Sequence, residues 1–154
     1  MFLESYFHIN HHNPYTIPFH IINKKYDLFH YGSKERTMWK IRHKLRDFVQ
    51  DHHCIPYQFR NHPFLKIINF DINCSKNIYM MPNKHAINNI VLPYGEKTLI
   101  HDGGHPKFNC WVGKQLDNLY KSSDDLDVKK YEFWLLINFI RENMDINQDD
   151  LPWE

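Results

Sequence analysis

Between Ile100 and Phe108 the chain reads His101-Asp102-Gly103-Gly104-His105-Pro106-Lys107, and no other stretch restricts the local fold as much. Two histidines at this spacing would share one face of a helix, but adjacent glycines weaken a helix and proline prefers its first turn. The pattern therefore predicts a turn. It delivers His101, from a strand Thr98 to His101, and His105, at a helix start, to one point. The helix after His105, with its helical run from Cys110 to Leu119, turns Phe108, Trp111, Val112, Leu116 and Leu119 toward a core and leaves Lys107, Lys114 and Asn118 more exposed. Taken alone, the two imidazoles suggest a metal or phosphate site that needs partners from elsewhere.

The bulk properties narrow the search for those partners. With 154 residues, 42% hydrophobic and 24% charged, the chain suits one globular domain over residues 1–154. Only five glycines leave little material for a glycine-rich nucleotide loop, and a net charge of +1 excludes a global basic field. Cys54, Cys74 and Cys110 form no CxxC pair, so neither a zinc ribbon nor a disulfide framework is expected. No apolar run approaches the roughly 20 residues of a membrane span, and no signal peptide is apparent. A cytoplasmic location is the default expectation, with delivery by other machinery left open.

Read in order, residues 1–32 are irregular or extended, as in Ile17 to Tyr26. A helix is expected over residues 34–50, started by Ser33, with Met38, Ile41, Leu45 and Phe48 on its apolar stripe and Lys40, Arg42, Lys44 and Arg46 on a solvated face. Pro56 ends that run and biases the segment holding His52-His53 toward extended geometry. A short helix at His62 to Ile68, a polar loop from Asn69 to Lys76 and a strand at Ile78 to Pro82 follow. Residues 83–97 read as irregular. A final helix over residues 124–144 carries the stripe Phe133, Trp134, Ile137 and Ile140. The class is α+β.

Chemistry concentrates in His52, His53, Asn77, His101 and His105. Neutral imidazole is a common ligand of divalent ions, and a catalytic site needs about three protein ligands with one position open. His52, His101 and His105 supply three. Neighbours in a strand point to opposite sides, so His52 and His53 divide their work. His11-His12, His62 and His85 read as surface, capping or lining residues, and Cys54 and Cys74 as packing.

The ordered elements Asp51-His52-His53-Cys54-Ile55-Pro56, His62-Pro63-Phe64, Phe70-Asp71-Ile72-Asn73, Asn77-Ile78-Tyr79-Met80-Met81-Pro82 and His101 to Asn109 resemble the AHH family of the HNH/endonuclease VII superfamily, the ββα-metal or His-Me finger nucleases. The resemblance covers about Asp51 to Leu119. It departs at Asp51, where the family name has alanine, and at Phe108, where tyrosine is common. It implies a ββα-metal core at residues 51–119, flanked by the helices at 34–50 and 124–144. His53 would be the general base, and His52, His101 and His105 the ligands of one divalent ion (Mg, Mn, Ni or Zn). Asn77 would lock the loop and, through its amide oxygen, hold the base in its productive tautomer. Lys107, Asn109 and Lys114 would meet nucleic acid, with Lys107 at the helix N-terminus, where backbone donors favour phosphate.

The implied activity is metal-dependent endonucleolytic hydrolysis, DNA favoured, leaving 5′-phosphate and 3′-hydroxyl ends. The alternatives are an RNase of the same fold, a nucleic-acid-binding module that has lost cleavage, and a protein that stores or senses metal. Many relatives are C-terminal modules of secreted toxins; a toxin role would add a small inhibitor protein as partner, whereas no membrane partner is implied.

Overall fold

Ser33 accepts a hydrogen bond from Arg36 N through its hydroxyl and so starts helix α1, Lys34–Arg42. The helix stops well before residue 50. Lys44 takes a left-handed φ of 56°, and the bonds Lys44 N to Ile41 O (3.0 Å) and Leu45 N to Lys40 O (2.8 Å) close a Schellman cap over the last turn. The buried side of α1 carries Arg36 and Trp39, while Met38 and Ile41 are exposed. The expected apolar stripe is thus rotated, because Leu45 and Phe48 lie beyond the helix end and no longer share its face.

The computed structural model describes residues 29–90, 92, 98–145 and 150–153. Expectations for residues 1–28, His11-His12 among them, and for most of 91–97 fall outside the described residues. After α1, strand β1 (Val49–His53) pairs antiparallel with β2 (Ile78–Pro82), with His52 opposite Tyr79 and His53 opposite Ile78. Between them lie a 3₁₀ turn at Tyr57–Phe59, helix α2 at Pro63–Ile67, capped by the His62 imidazole, and a second 3₁₀ turn at Ser75–Asn77. A third such turn, Lys84–Ala86, follows β2. The expected strand at Thr98 to His101 is reduced to one parallel bridge, His101 with Asn83, in which His101 N donates to Pro82 O (2.8 Å). A single bond suffices to fix His101 beside the end of β2.

Helix α3 spans Pro106–Ser122 and α4 spans Leu126–Asp145, the latter started by Asp125 Oδ1, which accepts from Asp127 N and Val128 N. This is an α+β fold, a ββα core with additional helices around it. Alternation along β2 builds a core on each side of the hairpin. Tyr79 and Met81 pack with Phe108, Val112 and Leu116 of α3 and Phe133, Ile137 and Ile140 of α4. Met80 faces the other way, with Trp39, Leu45, Val49, Ala86 and Ile90. Burying each large apolar side chain contributes on the order of 1.5–3 kcal/mol, so α3 is held to the sheet by Phe108, Val112 and Leu116. Trp134 is an exception to the predicted α4 stripe: it is 36% exposed at the rim. Among the described residues no helix is long and apolar enough to cross a membrane.

Candidate metal centre and active site

The period-two geometry of β1 separates the adjacent histidines. His52 turns inward and is 6% exposed, with its ring 5.3 Å from that of His101 and 5.8 Å from that of His105. His101 and His105 are 5.5 Å apart, centroid to centroid. Each of the three offers a ring nitrogen, and these nitrogens lie within 4.8 Å of one another. Gly103, at φ 111°, makes the tight return between His101 and His105 in a region that side chains with a Cβ rarely enter. No neighbour crowds that glycine, so its requirement is conformational.

Three observations test whether this set fits a divalent ion. Metal–nitrogen bonds of about 2.0–2.1 Å allow at most roughly 4.2 Å between two ligand nitrogens, so modest ring rotations close the cluster onto one centre. His52 Nε2 and His101 Nδ1 are buried with no hydrogen-bond partner, an arrangement costly for a polar atom that has no other use. Burial, reinforced by the charges His101, His105 and His53 would carry, holds His52 well below the usual histidine range, and burial also lowers His101. Both imidazoles are therefore held in the neutral form that binds metal. The donor set fits.

His53 projects from the other side of β1, half-buried between the rings of Tyr31 (4.7 Å) and Tyr57 (5.7 Å). Its Nε2 lies 3.0 Å from Asn73 Oδ1. With Nε2–H donating to that oxygen, the lone pair is left on Nδ1. Burial lowers the proton affinity of His53, the Asn73 bond and the Asp51 carboxylate partly restore it, and the Arg36 charge opposes them. His53 follows His52 directly in β1, and its charge would lower the proton affinity of both His52 and His101.

Asn77 is fully buried and staples the loop. Its Oδ1 accepts from Ile55 N (2.7 Å), and its Nδ2 donates to Ile55 O (3.1 Å) and Ile72 O (2.8 Å). That oxygen is consequently occupied by Ile55, and the amide that meets the His53 ring belongs to Asn73. Within Phe-Asp-Ile-Asn, nothing in the sequence marks Asn73 for this contact. Its position relative to His53 depends on how the whole loop returns to the sheet.

Asp51 ties α1 to β1, and its negative charge raises the proton affinity of His101. Its Oδ1 meets Arg36 Nε at 2.8 Å and its Oδ2 meets Lys40 Nζ at 2.7 Å, with the Arg36 side chain only 1% exposed. The face of α1 expected to be solvated is thus partly an interior ion cluster. His62 caps α2 and lies 3.2 Å from Asp117, while Cys54 is packed in the core.

Helix α3 begins at His105, with Pro106 in its first turn. Lys107 and Lys114 are exposed and, at a separation of seven residues, lie on nearly the same helix face. Asn109 is half-buried and reaches Gln58 Oε1 at 3.4 Å. Phe108 is fully buried, its ring 5.6 Å from His52, so it forms a wall of the cluster. A second wall, unsignalled by any motif, is Trp153, whose indole lies 3.9 Å from the His105 ring.

A family model described as AHH, a nuclease family of the HNH/ENDO VII superfamily with conserved AHH, matches residues 33–135. No curated protein and no solved structure matches the chain.

Proposed function

The chain belongs to the AHH family of HNH/ENDO VII nucleases, and from that premise we propose that it is a metal-dependent endonuclease cutting DNA with His53 as general base and His52, His101 and His105 as ligands of one divalent ion. The observation that carries this reading is the convergence of those three histidines within 4.8 Å, with His53 next to His52 in β1.

His53 Nδ1, freed by the Nε2 bond to Asn73, accepts a proton from water. The water oxygen attacks phosphorus in line as the bond to the 3′ oxygen breaks, and that oxygen takes a proton from solvent, leaving 5′-phosphate and 3′-hydroxyl ends. When bound, the ion supplies positive charge to the phosphate and the leaving oxygen. The N-terminus of α3 presents unpaired backbone N–H groups, and Lys107 adds a cation for the phosphate. Lys114 and Asn109 extend the contact along the helix. Asn77 keeps the loop from Cys54 to Asn77 in register, so that His53 and Asn73 meet.

The test uses purified protein with supercoiled plasmid and, separately, structured RNA, each with and without EDTA. Wild type should nick the plasmid only with a divalent ion present. His53→Ala should lose cutting yet keep its metal, whereas His105→Ala should lose cutting and bind metal weakly. Cleavage of RNA alone would make the protein an RNase acting through the same residues. Metal-bound protein that grips duplex DNA without cutting it in magnesium, manganese, nickel or zinc would refute the catalytic reading.

A further inference from the structure

The family match ends at residue 135, yet one wall of the histidine cluster comes from the other end of the chain. Trp153 lies against His105 with ring centroids 3.9 Å apart and planes 31° from parallel. The same indole is 5.1 Å from His52 and 5.3 Å from Phe108. It is 7% exposed and sits beside Leu151, at 4%, in the main core, with Trp153 N bonded to Leu151 O. Two of the three clustered imidazoles thus share a flat aromatic neighbour that no motif announced.

An imidazole donates its lone pair in the ring plane, so its value as a ligand depends on the angle of that plane. Rotation about the outer torsion of histidine is soft, with a broad, roughly two-fold profile. Something outside the ring must select one angle. Phe108 bounds the cluster on one side of His52, and the Trp153 face bounds His105.

We propose that Trp153 is a positioning residue of the metal centre: by stacking on His105 and abutting His52 it confines both ligand rings to a narrow range of angles, within which modest rotations direct their nitrogens to a common ion. The proposal rests on the metal-binding reading above. It extends the functional site beyond the family core to the C-terminal segment, where Trp153 serves binding as well as packing. Groups that fix the orientation of a ligand histidine typically change metal affinity by about 10–100-fold.

The experiment compares the full-length wild type with Trp153→Phe and Trp153→Leu, using cobalt(II) alone as the probe. Phenylalanine keeps a flat face, whereas leucine keeps an apolar wall without one. Cobalt affinity is measured by calorimetry and the ligand-field absorption is recorded, with thermal unfolding of the metal-free proteins as the folding control. Trp153→Leu should bind cobalt about 10-fold more weakly than wild type and shift the visible band. Trp153→Phe should regain most of the affinity and the wild-type spectrum. A leucine variant with wild-type affinity and spectrum overturns the proposal while leaving the metal centre intact. Failure of the wild type itself to bind cobalt overturns the metal reading and this proposal with it.

Discussion

Replacing Asp51 by alanine would give this chain the Ala-His-His order for which its family is described, and the structure predicts that the change is harmful. Two cations converge on the carboxylate, Arg36 at 2.8 Å and Lys40 at 2.7 Å. They differ in what they can do afterwards. The Lys40 side chain is 14% exposed and its flexible stem can carry the ammonium to water, but the Arg36 side chain is 1% exposed. It would stay buried beside Phe29 O, 3.4 Å away, without the carboxylate that balances its charge. Removing one partner of a buried ion pair costs about 3–5 kcal/mol, a large part of a typical total of about 5–15 kcal/mol. At roughly 2–4 °C per kcal/mol for a chain of this length, Tm should fall by about 6–20 °C.

Urea unfolding of wild type, Asp51→Ala, Arg36→Met and the double variant checks this, because the double variant removes the stranded charge. The double variant should recover most of the loss and be more stable than Asp51→Ala. A loss below about 1 kcal/mol in Asp51→Ala, or a double variant no more stable than the single, would refute the assignment of Asp51 as the counter-charge of a buried guanidinium.

Asn77→Ala strands Ile55 N, Ile55 O and Ile72 O in the interior, and urea unfolding should register a loss of about 2–5 kcal/mol; a change under about 0.5 kcal/mol would remove its role as the loop staple. His52 is depressed in the folded state, so its contribution to stability is complete above the unfolded value of about 6.5 and declines as pH falls from there toward the folded value. The unfolded chain takes up that proton first, giving a slope of about 1.4 kcal/mol per pH unit in metal-free protein. His52→Asn should flatten the curve, and an unchanged profile would contradict the burial argument. Lys107→Ala should weaken DNA binding without altering any base preference and lower the salt-dependence slope by about one, read by fluorescence anisotropy across a salt series.

What was legible beforehand followed from local chemistry. Gly103-Gly104 and Pro106 announce a turn into a helix whatever surrounds them, and Ile78 to Pro82 reads as a strand from its own residues. Less accessible were features set by the chain's return on itself. The end of α1 depends on Lys44 entering the left-handed region, a conformation its residue type does not demand. Thr98 to His101 has strand-like composition but finds only one bridge, since Asn83 turns away after β2.

Local residue chemistry set the supply and order of the functional groups: two adjacent histidines in an extended segment, which must face opposite ways, and two more set by a glycine turn at a helix start. Their neighbours came from the packing of distant segments. That packing put Asn73 rather than Asn77 against His53, made Asp51 the partner of Arg36 and Lys40, and laid Trp153 on His105 across a long separation in the chain. The physical reason is that strand alternation and turn preference act between near neighbours, whereas the identity of a buried contact depends on which distant segments packing brings together.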